Sequence, residues 1–184
     1  MISKRELEEY AKVRGLNLGQ AEKDYLQTII LFILYQKYGR ELVFKGGTAL
    51  NQCFNLDRFS QDIDFTSTVT DEFSKVITKG LKRFLIDAIA EEKRDDSIKI
   101  RFEIKGPLYT GDKRTICFIV ADISLREKVI LQPVVKRIGW NHPELPVFDV
   151  VVMQEAEILA EKVRAVLTLL FFYWLITTSF YYQK

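Results

Sequence analysis

Residues 97–105, SIKIRFEIK, alternate without a fault, setting Ile98, Ile100, Phe102 and Ile104 against Lys99, Arg101, Glu103 and Lys105. Successive side chains of a strand point to opposite faces, so the segment predicts a strand with one face on a core and one in water. The next stretch, TICFIVADIS at 115–124, is apolar on both faces and reads as a central strand. A sheet built around such a strand needs helices to cover it. Residues 4–13 predict a short charged helix, and 21–39 a longer one ending at Gly39. The second is too apolar for a single stripe, which predicts a buried helix. Residues 71–93 predict an amphipathic helix carrying Phe73, Val76, Ile77, Leu81, Leu85 and Ile86, and a last helix is expected from about Gln154 to Leu167. ELVF (41–44), DIDFT (62–66) and FDVVVM (148–153) add strands, while KVILQPVV (128–135) is a weaker candidate because Pro133 has no N–H to give. The expected fold is α+β, a small mixed sheet flanked by helices, in one domain over residues 1–167.

Composition narrows the function class. Hydrophobic residues make up 48% of the chain, enough for a sizeable core and too many for a disordered chain. The net charge of +2 neither demands nor excludes a nucleic-acid partner. Cys53 and Cys117 form no disulfide framework or metal-type spacing and read as thiols of a reducing compartment. MISKRELEEY has no apolar signal region, so a cytoplasmic location is expected. His142 is the lone histidine and cannot anchor a histidine-based site by itself. From Ala165 to Gln183 no charged residue appears, which approaches the length of a membrane span. The stretch is rich in Tyr and Thr and follows directly on a charged helix, so a packed apolar terminus over 168–184 is expected rather than a membrane anchor.

Chemistry concentrates in FKGGTALNQCFNLDRFSQDIDF, residues 44–65. Asp62 and Asp64, two apart on a strand, project together about 7 Å apart at the backbone. Like charges placed this way repel unless basic side chains or metal ions neutralise them. Mg²⁺ takes oxygen ligands and is commonly held by one or two carboxylates plus substrate phosphates. Asp122, near the end of TICFIVADIS, is a third acid if that strand pairs beside DIDFT. Gly46 and Gly47 stand between a strand and a helix that is expected from Thr48. There the backbone is free to take unusual angles, and the helix-start N–H groups attract phosphate. Thr48 and Ser60 add hydroxyl donors and Arg58 a forked cation. Taken singly, each feature has a plainer explanation as a turn, a solvated strand edge or a surface ion pair. Together, in this order, they describe a nucleoside triphosphate site.

This arrangement resembles the nucleotidyltransferase superfamily, with its glycine turn, helix and strand-borne DxD. More closely, GGTAL followed by R-x-S-x-D-x-D-F resembles the AbiEii/AbiGii toxin family of type IV toxin–antitoxin and abortive-infection systems. ADISLRE and EILAEKVRAVL extend the resemblance over roughly residues 20–167. The resemblance implies a nucleotidyltransferase-like fold. It implies that Gly46, Gly47 and Thr48 hold the triphosphate and that Asp62, Asp64 and Asp122 bind Mg²⁺ (or Mn²⁺). Lys162 then contacts phosphate from the C-terminal helix, where Glu155, Ile158 and Lys162 share one face; Glu161 is a weaker candidate. After Leu167 the family's R-D-x-x-D motif is absent, and the tail reads as a truncated or altered end of its helical region.

The expected function is Mg²⁺-dependent transfer of a nucleoside monophosphate from an NTP to an acceptor hydroxyl. An RNA such as a tRNA 3′ end is the leading acceptor, in a toxin opposed by a cognate antitoxin. Two alternatives remain open: a degenerate domain that binds nucleotide or a partner without catalysis, and a nucleotidyltransferase that modifies a small-molecule antibiotic.

Overall fold

The computed structural model describes the backbone over residues 1–181 and side chains over residues 1–171. Helix α1 (Lys4–Arg14) starts at a capping box of Ser3 and Glu6 and stops at Gly15, in the left-handed region at φ 66°. Helix α2 (Leu18–Tyr38) starts earlier than its apolar run, because Asn17 and Gln20 form a second capping box. As its composition predicts, α2 is buried nearly all round. Strand β1 (Leu42–Lys45) leads into helix α3 (Gly46–Phe54), followed by β2 (Ile63–Ser67), α4 (Phe73–Arg83), β3 (Asp87–Arg94), β4 (Ser97–Lys105), β5 (Cys117–Ser124), β6 (Val134–Ile138), β7 (Phe148–Val152) and α5 (Glu155–Tyr181).

The seven strands form one sheet in the order β3-β4-β5-β2-β1-β7-β6. Two pairings are parallel, β2 with β5 and β1 with β7; the rest are antiparallel. One face carries Phe44, Phe65, Ile100, Phe102, Ile119 and Ile123, all buried in the core with α2 and α4. The opposite face of β3, β4 and β5 stays open, with Lys99, Arg101, Glu103 and Lys105 exposed as the alternation requires.

The helix expected over 71–93 is half helix and half strand. It ends at Arg83, and Leu85 takes the left-handed region at φ 58° while its side chain stays 83% exposed. The Ile86 N–H returns to the Leu81 carbonyl and the Ile86 side chain is buried, so the chain reverses. DAIAEEKR then forms an edge strand beside β4, closed by a two-residue turn at Asp95–Asp96. Its Ala, Glu and Lys favour a helix in isolation, but pairing along the full length of β4 outweighs a preference of a few tenths of a kcal/mol per residue. The strand expected through Pro133 begins only after it. The N–H groups of Ile130 and Leu131 go instead to the buried carboxylate of Glu157 on α5, at 2.6 and 3.0 Å. Helix α5 runs past Leu167 without a break to Tyr181, exposing Leu159, Val163, Leu167 and Leu170. Among the described residues no helix is long and apolar enough to cross a membrane; residues 182–184, the end of the apolar terminus, lie outside them.

A left-handed, non-glycine residue costs roughly 1 kcal/mol over glycine. Leu85→Gly removes that strain and no buried contact, so a stability gain of about 0.5–1 kcal/mol is expected by urea denaturation. A loss would show that the exposed side chain contributes packing of its own.

Candidate active site

The site grows out of the turn between β1 and α3. Gly46 has φ 77°, and a Cβ there would stand 2.0 Å from Oδ2 of Asp64. Only glycine lets the backbone lie against that carboxylate. A Cβ on Gly47 fits no better, 2.6 Å from the Ser60 hydroxyl. Helix α3 starts at Gly46, two residues before the expected Thr48, and no side chain caps it. Its first-turn N–H groups therefore have no side-chain acceptor of their own. Thr48 is buried, and its hydroxyl donates to the backbone carbonyl of Asp62. That hydroxyl fixes the entry of β2, so any contribution to a ligand comes from the Thr48 backbone. The loop before β2 is held from below: the Gln27 amide on α2 donates to the carbonyls of Ser60 and Gln61 at 3.2 and 2.7 Å. Arg58, on the same loop, is exposed and makes no ion pair among the described residues.

The pairing left open by the sequence is present. Strands β2 and β5 run parallel with Asp64 directly beside Asp122. On its other side Asp64 faces Lys45, and Asp122 faces Lys99. One row across four strands therefore reads Lys45, Asp64, Asp122, Lys99. Asp62 lies just before β2, exposed, two residues from Asp64. Burial pushes the Asp64 carboxyl from the ordinary 3.8 up to about 6, and the negative charges of Asp62 and Asp122 add to the effect. Lys45 and Lys162 oppose it, so the α5 lysine acts electrostatically on Asp64. The structure thus brings Gly46, Gly47, Ser60, Asp62, Asp64, Asp122 and Lys162 to one place and leaves Arg58 at the solvent rim.

Lys45 is the residue that sequence reasoning passed over. It is buried at the end of β1 and pairs with Glu127, after β5, and with Glu161 of α5 at 3.2 Å. Burial works against its charge, but the two carboxylates outweigh burial and hold its pKa above the ordinary value. Glu127 also takes Arg164 at 3.0 Å, so the network docks α5 onto the sheet beside Asp64. A lysine closing an otherwise apolar strand, immediately before the glycines, was the visible signal.

The donor set of Asp62, Asp64 and Asp122 is all carboxylate oxygen, which suits a hard divalent cation, and at Asp64 burial together with the charges of Asp62 and Asp122 outweighs Lys45 and Lys162. Among the described residues no three such side chains converge on a common point as they stand.

A raised carboxyl binds its proton more tightly when folded. The Asp64 contribution to stability is therefore present below about pH 4 and lost as pH rises through about 6. Asp64→Asn is expected to stabilise the metal-free protein by roughly 1–3 kcal/mol at pH 7.5 and hardly at all at pH 4. Equal effects at both pH values in thermal melts would contradict this electrostatic account. Gly46→Ala is expected to displace Asp64 and cost about 1–3 kcal/mol, because φ 77° and the Asp64 contact both penalise a Cβ.

Several comparisons bear on this site. No curated protein matches the chain. Among solved structures, JHP933 from Helicobacter pylori superposes with a TM-score of 0.55 at 17% identity, covering 78% of this chain and 55% of its own. A candidate nucleotidyltransferase from H. pylori superposes with a TM-score of 0.53 at 16% identity, covering 74% and 54%. At such identities the likeness concerns the fold, and this chain spans about half the length of these structures. The family model described as nucleotidyl transferase AbiEii toxin, type IV TA system, matches residues 30–173, a span that runs from α2 into α5 and includes every acid, glycine and lysine of the site. The chain belongs to the AbiEii nucleotidyl transferase toxin family.

Proposed function

We propose that this domain transfers a nucleoside monophosphate from an NTP to an acceptor hydroxyl, with an RNA such as a tRNA 3′ end as acceptor. It would act in the cytoplasm as the toxin of a toxin–antitoxin system whose antitoxin opposes it. The observation that carries this reading is the row Lys45–Asp64–Asp122–Lys99 lying against the uncapped start of α3. In the reaction the acceptor hydroxyl releases its proton to solvent, its oxygen bonds to the α-phosphorus, the bond from that phosphorus to the α,β-bridging oxygen breaks, and pyrophosphate leaves. The open N–H groups after Gly46 and Gly47, with the Ser60 hydroxyl, bind and orient the triphosphate. Lys162 draws phosphate charge toward α5, and Arg58 meets the part nearest solvent. Asp62, Asp64 and Asp122 would hold Mg²⁺ or Mn²⁺, which supplies neutralising charge at the triphosphate and lowers the pKa of the acceptor hydroxyl. Lys45 keeps α5 in place, so Lys162 stays over the acids.

A second reading, nucleotide binding without transfer, draws support from the acids not converging as they stand. Incubation with each NTP radiolabelled at the α-phosphate, Mg²⁺ and total RNA separates the two. Transfer predicts label on RNA that falls at least ~100-fold in Asp62→Ala/Asp64→Ala. A wild-type protein that binds Mg-NTP and labels nothing supports the binding module. Mg²⁺ alone is expected to raise the melting temperature of the wild type at pH 7.5, equivalent to about 1–3 kcal/mol, and not that of the double variant. Equal shifts would place the cation elsewhere.

A further inference from the structure

The open face of the sheet divides at the acids. On the β1 side stand the glycine turn, Ser60 and the start of α3. On the β4 side, the position beside Asp122 is Lys99, with Arg101 two residues along and Lys93 of β3 directly opposite Lys99. Neighbouring strands lie about 5 Å apart, so Lys99 sits one strand from Asp122 and two, about 10 Å, from Asp64. Lys99 and Arg101 are exposed, and neither forms an ion pair among the described residues. Arg101 instead lies over the Phe118 ring, 4.9 Å from its centre, and Phe118 itself is 38% exposed. A shallow cavity of about 270 Å³ is lined by Lys93, Lys99, Arg101, Val120 and Glu91. Glu91 is paired at 3.7 Å with Lys93, and Glu103 follows Arg101 on β4, so the positive character is concentrated at the end nearest Asp122.

The other basic residues of this region are placed differently. Lys79 and Arg83 of α4 line a groove on the helix-covered side with Phe32 and Ile33 of α2, away from the acids. Arg94 is tied to Glu92 and to the backbone carbonyls of Thr70 and Asp71. Lys99 and Arg101 are thus the uncommitted cations nearest the acids on the flank opposite the glycine turn.

We propose that this flank, Lys93, Lys99, Arg101 and Phe118, is the docking surface for the acceptor strand, an RNA whose phosphates meet the cations and one of whose bases stacks on the Arg101–Phe118 platform. The proposal rests on the transfer reaction proposed above, with the NTP entering on the glycine side and the acceptor hydroxyl arriving over Asp122 from the β4 side. Charge complementarity selects the occupant. A polyanionic strand gains from every cation of the flank, whereas a cationic small molecule such as an aminoglycoside meets like charge one strand from the acids.

Binding of fluorescent total tRNA and of a single-stranded RNA oligonucleotide to the full chain, without NTP, across a salt series tests the surface directly. The wild type is expected to bind both with a steep salt dependence. Lys99→Glu/Arg101→Glu is expected to weaken binding at least ~10-fold and to lower the salt slope by about 2. Lys79→Glu/Arg83→Glu makes the same change in net charge on the other side and is expected to stay within about threefold of wild type. The inference fails if the wild type binds neither RNA, if the two variants weaken binding equally, or if the β4 variant binds as wild type. These outcomes are separate from the reaction. RNA binding through this flank without label transfer counts against the transferase alone. Transfer to an acceptor that tolerates the β4 charge reversal counts against the flank alone.

Discussion

Two carboxylates side by side on parallel strands set the terms for everything around them. Asp64 and Asp122 are register partners at the centre of the sheet, and neither side chain is fully open to water. Their repulsion, with the burial of Asp64, is an electrostatic cost that a fold of marginal stability carries only for a return elsewhere. The compensation is local: Lys45 beside the pair on β1 and Lys162 from α5. Even so the Asp64 carboxyl stays well above its ordinary range.

The surroundings of the pair are rigid for identifiable reasons. Below it, α2 is buried and grips the loop before β2 through Gln27, while the Thr48 hydroxyl clamps the Asp62 carbonyl. Above it, α5 is seated by Glu161 on Lys45 and by Glu157 on the backbone of Ile130 and Leu131. The first turns of α5 are therefore tied both to the loop after β5 and to β1. Lys162 owes its place to its neighbour Glu161, whose partner Lys45 is itself the register partner of Asp64. Register pairing of Lys45 with Asp64 and the Lys45–Glu161 ion pair link β1, β2 and α5 at the acids.

The open sheet face adds a direction to this centre. Its glycine side offers backbone N–H groups and a hydroxyl, suited to phosphates close to the acids. Its β4 side offers long, exposed cations and an aromatic platform, suited to a flexible partner arriving from solvent. Two H. pylori structures share the fold at 16–17% identity, so the architecture tolerates wide change in sequence.

Much of this was legible in the chain itself. Alternation in SIKIRFEIK placed β4, because side-chain period is a direct imprint of which face is wet, and the apolar run before Asp122 placed β5 inside the sheet, although Phe118 on its open face is exposed. GGTAL and DIDF marked the candidate site only in combination, because each alone has a plainer explanation as a turn or a solvated strand edge; the structure sets Gly46, at φ 77°, against Asp64. The sequence left other features undetermined because they depend on partners distant along the chain. Asp87–Arg94 has helical composition and became a strand only because β4 offered a full-length partner. Lys45 looked like a strand terminus until Glu127 and Glu161, more than eighty residues away, closed around it. Local preference and period act over a few residues and can be read from one chain segment. Register, charge compensation and the placing of α5 arise when remote segments share a low-dielectric space, and only the tertiary structure decides them.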